Sequence, residues 1–212
     1  MSYAVKELFL TIQGEGVHAG RKAVFLRFSG CNLWTGLEKD RAAAICKFCD
    51  TDFVGIDGKN GGRYEAVGLA EKAAALWGSE TGHRYIVLTG GEPMLQVDDA
   101  LIGALHDQQF RIAIESNGTI AVHGGIDWVC ISPKAGSDVV QRAGDELKLV
   151  WPQAGSDWQT MEAWAFTHHL IQPMDGFAFK ANAANQKAAM AFVADHPKWR
   201  LTLQTHKILG IP

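Results

Sequence analysis

Seven short apolar runs punctuate the chain: AVFLRF (23–28), RYIVLT (84–89), RIAIES (111–116), WVCIS (128–132), ELKLV (146–150), HLIQP (169–173) and RLTLQT (200–205). Each has the length and apolarity of a buried strand. Between several of them apolar positions recur at helical spacing. Val67, Ala70, Ala74 and Trp77 share one helix face, as do Leu101, Ala104 and Leu105, and then Ala188, Ala191 and Phe192. Strands alternating with helices predict an α/β fold of parallel strands joined by crossover connections. No Pro- or Ser-rich linker, repeat or low-complexity stretch divides the 212 residues, so a single domain over 1–212 is expected. The Gly-rich GIDGKNGGR (55–63) reads as a mobile loop.

Most of the runs end in polar or Gly-rich residues: Thr89-Gly90-Gly91-Glu92-Pro93, Glu115-Ser116-Asn117-Gly118, Ser132-Pro133-Lys134, Gln172-Pro173 and Gln204-Thr205-His206. If the strands are parallel, these residues line one rim at the carboxyl ends, where barrels and open parallel sheets place their sites. Turns are polar in any protein, but that alone does not explain why Glu, Ser, Lys, Gln and His recur there.

Composition changes the picture little. With 47% hydrophobic and 20% charged residues the chain is ordinary for a soluble globular protein. MSYAVKELFL lacks a cationic segment followed by an apolar run, and nothing approaches the roughly 18 to 20 apolar residues that span a bilayer, so a cytoplasmic protein is expected. A net charge of −3 offers no broad basic face for nucleic acid. A small-molecule substrate is the expectation.

The four cysteines are unevenly placed. Cys31, Cys46 and Cys49 form a C-x14-C-x2-C cluster with Phe48 between the last two, whereas Cys130 sits inside an apolar run and reads as a small buried hydrophobe. In a reducing compartment a thiol cluster binds metal or does redox chemistry more often than it forms disulfides. Three thiolates suit zinc only with a fourth ligand, for which His18 is near in sequence. They equally suit a [4Fe–4S] cluster with one iron left free of protein ligands, which a cofactor can then grip.

YIVLTGGEPMLQ (85–96) places two glycines and a carboxylate directly after a buried strand, where backbone can approach a ligand and Glu92 can accept from an ammonium group. Together with the three cysteines it resembles the radical S-adenosylmethionine superfamily. The fourteen-residue first gap, TIQGEG (11–16), FLRFSGCNL (25–33), CKFCDT (46–51), ESNGT (115–119), SPK (132–134) and QP (172–173) resemble more narrowly the 7-carboxy-7-deazaguanine synthases. The resemblance implies a partial, modified TIM-type (β/α) barrel with its site at the carboxyl ends of parallel strands and a cluster-binding loop over about 29–62. It also implies ring contraction of 6-carboxy-5,6,7,8-tetrahydropterin to 7-carboxy-7-deazaguanine with release of ammonia, on the route to queuosine. A glycyl-radical activase or a zinc-stapled binding module is the alternative reading.

The resemblance assigns residues as well. Cys31, Cys46 and Cys49 would ligate the [4Fe–4S] cluster. Phe48, Gly90, Gly91, Glu92, Ser116, Ser132, Lys134 and Gln172 would bind S-adenosylmethionine, with Lys134 alternatively a rim charge in solvent. Gln13, Glu15, Gly16, Arg27, Thr89, Gly90, His206 and Pro212 would face the substrate. Gln13 and Glu15 offer the donor and acceptor that a pterin edge demands, or else shape a polar hairpin. Arg27 lies in an apolar run and must meet a carboxylate, either the substrate's or one of the chain's own. Thr51 would hold Mg²⁺, unless Asp50-Thr51 only orders its loop. The tail KILGIP would close over the pocket unless it is disordered. Implied partners are the pterin, a one-electron reductant such as a flavodoxin or ferredoxin, and a second copy in a homodimer, with no membrane or nucleic acid.

Overall fold

A computed structural model describes residues 2–176 and 178–212. Its strands are β1 (Tyr3–Ile12), β2 (Lys22–Phe28), β3 (Gly62–Tyr64), β4 (Tyr85–Gly90), β5 (Arg111–Ser116), β6 (Trp128–Ile131), β7 (Ala143–Trp151), β8 (Ala165–Pro173) and β9 (Trp199–Leu201). They form one sheet in the order β3-β1-β2-β4-β5-β6-β7-β8-β9. From β2 to β9 every neighbouring pair is parallel. The sheet ends at β3 and β9 without closing, so this is a barrel of the partial TIM type.

The apolar runs are continuous because the parallel strands are covered on both faces. In β4 Tyr85, Ile86, Val87 and Leu88 are all buried, and in β5 Ile112, Ala113 and Ile114. Helices α1 (Ala66–Trp77) and α2 (Asp99–Asp107) cover the first half of the sheet, whereas α4 (Phe179–Asp195) packs on β7, β8 and β9 around Phe192 and Trp199. The short α3 (Trp158–Glu162) and α5 (Thr205–Leu209) complete the chain.

Several expectations need correction. The sheet is not wholly parallel, because β1 runs antiparallel to both β2 and β3. Strand β1 was hidden by Lys6 and Glu7, which interrupt its apolar pattern at a bulge between Val5 and Glu7. RLTLQT contributes only Arg200 and Leu201 to β9 before the chain leaves the sheet. In α1 the buried face is Leu69, Ala70, Ala73, Ala74 and Trp77, and Val67 in the first turn is 63% exposed. In α4 the buried residues are Ala189 and Phe192, with Ala188 half-buried and Ala191 exposed.

The Gly-rich 55–63 segment is pinned rather than loose: Gly58 N donates to Lys6 O at 3.0 Å and Leu8 N to Lys59 O at 2.8 Å. The Lys6 ammonium adds Val54 O at 2.8 Å, Asp57 Oδ1 at 2.8 Å and Asp52 Oδ2 at 2.9 Å. The same bulged lysine that obscured β1 therefore fastens the end of the cysteine loop to the sheet.

Asp98 is the N-cap of α2, its Oδ1 accepting from Leu101 N at 3.0 Å and from the Tyr3 hydroxyl at 2.5 Å. Asp98→Ala should lower stability by about 1–2 kcal/mol. Thermal unfolding should show a loss of about 2–4 °C or somewhat more, since two donors lose their acceptor.

Candidate active site

The carboxyl ends of β4 to β8 open on one cavity of about 330 Å³, which the cysteine loop, the turn after β1 and the last residues of the chain also line. Cys31, Cys46 and Cys49 all stand in its wall. The long gap between the first two is a closed excursion: Ile45 N returns to Leu33 O at 3.1 Å. Arg41, from a short 3-10 helix over Glu38–Ala43, donates to Lys47 O at 3.0 Å and Cys49 O at 3.1 Å while its guanidinium lies 4.1 Å above the Trp34 ring. The insertion thus folds back to hold the later cysteines. Hydrogen bonding from the Cys46 thiol brings Cys49 down to about 6, and the same contact, with burial, pushes Cys46 up. Burial raises Cys31.

These thiols face an open cavity with room for a further ligand. That donor set suits an iron–sulfur cluster with one unligated iron better than a closed tetrahedral zinc. His18 is no fourth ligand, since its ring packs between Tyr85 and Trp128 at centroid distances of 5.3 and 4.3 Å. Among the described residues no three His, Cys, Asp or Glu side chains make a single-ion site. Cys130 is buried, 4% exposed, and does not line this cavity.

Gly90 and Gly91 are glycines because the end of β4 lies against the chain leaving β2. A Cβ on Gly91 would fall 2.1 Å from Gly30 O and 2.7 Å from Cys31 Cβ, and one on Gly90 2.4 Å from Phe28 O. Glu92 N then donates to Gly30 O at 2.9 Å. The Glu92 side chain is fully buried and does not line the cavity. Its carboxylate accepts from Ser116 Oγ at 2.9 Å, Asn117 N at 2.8 Å and Met94 N at 3.0 Å. Burial raises its pKa against those bonds. Gly16 also stands off the wall: it turns with φ +69° against Glu146, where a Cβ would meet Oε2 at 2.2 Å, and its N–H donates to Thr202 Oγ1 at 2.8 Å.

The remaining sequence candidates all line the cavity: Phe48, Thr51 and Thr89; Ser116, Ser132, Lys134 and Gln172; and Gln13, Glu15, Arg27, His206 and Pro212. The Lys134 ammonium donates to Ser132 O at 2.5 Å and Oγ at 2.7 Å, so it is no free rim charge. Gln172 is 5% exposed, and its Oε1 is a buried acceptor with no partner among the described residues. Arg27 pairs across the strands with Glu7, Nε to Oε1 at 2.7 Å, with both side chains on the wall. Local loop capping falls to Asp52, which accepts from Val54 N at 3.2 Å, while Asp50 Oδ2 takes Lys207 at 2.6 Å and Gln204 at 3.3 Å. The tail is ordered: Lys207 also reaches Asp175 at 2.6 Å, Thr205 N bonds Gly14 O at 2.9 Å, and Thr11 Oγ1 bonds Pro212 O at 2.8 Å.

The strongest charge cluster escaped the sequence reading. Lys148, in ELKLV, sits between Glu15 Oε2 at 2.5 Å and Glu115 Oε2 at 2.9 Å. The argument that Arg27 in an apolar run needs a carboxylate applies equally to Lys148 and would have found it.

No family model matches the chain. The chain is 60% identical to the 7-carboxy-7-deazaguanine synthase of Bradyrhizobium diazoefficiens, 57% to that of Bordetella pertussis and 54% to that of Caulobacter vibrioides, each pairing covering 100% of both chains. Its fold is that of the crystal structure of QueE from Escherichia coli, with a TM-score of 0.69 and 21% identity over 96% of this chain and 94% of that one.

Burial alone would raise the Glu15 carboxyl, but Lys148, Gln204 and His206 bring it down to about 2. A depressed carboxyl stabilises the fold fully above its unfolded value, about 4.5, and the contribution is lost as pH falls through about 2. Burial would lower Lys148, yet the two glutamates lift it well above its ordinary value, so its share persists below about 10.5 and fades only above that. Glu15→Gln should therefore flatten the decline of unfolding free energy between pH 4.5 and 2, as measured by denaturant titration across that range.

Proposed function

Since the chain belongs to the 7-carboxy-7-deazaguanine synthases, we propose that the cavity at the strand ends gathers a [4Fe–4S] cluster, S-adenosylmethionine and 6-carboxy-5,6,7,8-tetrahydropterin for a radical ring contraction. The chain is an enzyme that makes 7-carboxy-7-deazaguanine. The observation that carries the fuller reading is the meeting of three thiols, a Gly-Gly strand end and the Gln13–Glu15 turn on a single cavity.

Contracting a six-membered ring needs a reactive carbon centre that side chains cannot generate, and the cluster with S-adenosylmethionine supplies it. The chain's own tasks are to bind, orient and exclude water. Cys31, Cys46 and Cys49 hold the cluster. The backbone of Gly90 and Gly91, with Ser116, Ser132, Lys134 and Gln172, takes the S-adenosylmethionine; Gln172 Oε1 is an acceptor ready for a donor of that ligand. Glu92 acts from behind, fixing Ser116 and the backbone of Asn117.

Opposite, Gln13 and Glu15 meet the pterin edge, and Arg27 exchanges or shares Glu7 with the substrate carboxylate. Phe9 and Phe25, stacked at 5.7 Å on the wall, give the ring an apolar side. Thr51 offers Mg²⁺ a hydroxyl, while Asp50 is engaged by the tail. His206, Lys207 and Pro212 shut out water from above. The whole of 1–212 acts as one domain, with the cluster loop over about 29–62. A cytoplasmic homodimer fed by a flavodoxin or ferredoxin completes the proposal. Among the described residues no helix is long and apolar enough to cross a membrane.

The defining test is anaerobic incubation of the cluster-loaded chain with the carboxytetrahydropterin, S-adenosylmethionine and a reductant. The deazapurine should appear; its absence, with cluster and cofactor intact, overturns the reading. Replacing Cys31, Cys46 or Cys49 by Ser should abolish product and the visible cluster absorbance together, while Cys130→Ser keeps both. Arg27→Gln should raise KM about tenfold or more with a smaller change in kcat, because it removes a charge-assisted bond to substrate. Steady-state kinetics on the pterin would read it directly.

A further inference from the structure

Lys148 is buried in β7, its side chain 4% exposed, with its ammonium 2.5 Å from Glu15 Oε2 and 2.9 Å from Glu115 Oε2. All three side chains line the cavity. The second oxygen of each carboxylate is also held: Gln204 Nε2 donates to Glu15 Oε1 at 2.9 Å, and Gln13 Nε2 to Glu115 Oε1 at 3.0 Å. Gln13 in turn accepts from Glu15 N at 3.1 Å, which closes the ring of contacts. The other cations of the wall are committed elsewhere, Arg27 to Glu7, Lys134 to Ser132 and Lys207 to Asp50 and Asp175.

Two carboxylates on one wall repel unless a cation lies between them, and here the Lys148 ammonium bonds one oxygen of each. A carboxylate held in this way presents only acceptors to the cavity. Resting on the reading of the cavity as a carboxytetrahydropterin site, we propose that Lys148 is a positioning residue that holds the Glu15 and Glu115 carboxylates together and aimed into the cavity. It thereby makes the site select a ligand edge rich in N–H donors, as the 2-amino pyrimidinone edge of a pterin is. Each ionised carboxylate has about four lone-pair sites, so acceptor capacity toward the cavity remains after the bonds named above.

The experiment compares wild type, Lys148→Met, and Lys148→Met combined with Glu115→Gln, using the carboxytetrahydropterin and the same molecule lacking its 2-amino group. Steady-state KM and kcat are measured on cluster-loaded enzyme, and calorimetric binding of both pterins on cluster-free protein. Wild type should prefer the amino-bearing compound by about tenfold or more, as hydrogen bonds to charged groups discriminate. Lys148→Met should raise KM for that compound by about tenfold or more, leave kcat within about threefold, and bring the preference toward parity. Unchanged KM and preference, or a fall in kcat alone, overturns the proposal. The double variant removes the repulsion together with the cation, so a preference between parity and the wild-type value is expected there; parity or the full wild-type preference overturns the proposal, also where Lys148→Met alone does not fold. If wild type makes no deazapurine, the function reading fails separately, while the calorimetric preference still decides the role of Lys148.

Discussion

The site depends on one close backbone approach, that of the end of β4 to the chain leaving β2. Because Gly91 has no Cβ, Glu92 N can bond Gly30 O at 2.9 Å and the Gly-Gly strand end lies directly against Cys31. Glu92 then reaches forward to Ser116 and Asn117 at the end of β5, so a single contact aligns three strand ends. A side chain at either glycine would have to displace backbone, which no local rearrangement absorbs cheaply.

The cavity wall carries two chemically different sets of groups. One is soft thiols and strand-end backbone, and the other is a charged ring of Gln13, Glu15, Glu115 and Lys148. They are not independent. Gln204 bonds both Glu15 and Asp50, the neighbour of Cys49, so the tail also ties the two sets together. A buried cation between two carboxylates is costly to assemble and costly to break, and such an arrangement specifies geometry more than it adds stability.

Much of this was legible in the sequence because burial on both faces writes parallel strands as unbroken apolar runs, and β4, β5 and β6 were read from those alone. The rim was legible for the same reason, since each run stops where its strand meets the cavity. What failed did so through long-range contacts. Strand β1 carries Lys6 and Glu7, whose partners lie about twenty to fifty residues away in the loop and in β2, so its pattern looked polar. The true face of α1 shifted because Val67 points away from the sheet in the first turn, which spacing alone does not reveal. The packing of Glu92 on the end of β5 and of Gly16 on Glu146 was likewise not visible in their motifs, because both contacts come from distant segments. Lys148 was readable by the rule used for Arg27, but its two partners come from other elements and only the fold unites them.

The central claim is that one cavity holds a cluster on three thiols and the pterin on the opposite wall. A crystal structure of the anaerobically loaded protein with S-adenosylmethionine and the carboxytetrahydropterin, recorded with iron anomalous scattering, tests it most directly. Iron should lie at Cys31, Cys46 and Cys49 with one iron lacking any protein ligand, and the pterin edge should meet Gln13 and Glu15. A metal closed off by four protein ligands, or a pterin bound outside this cavity, would contradict the account.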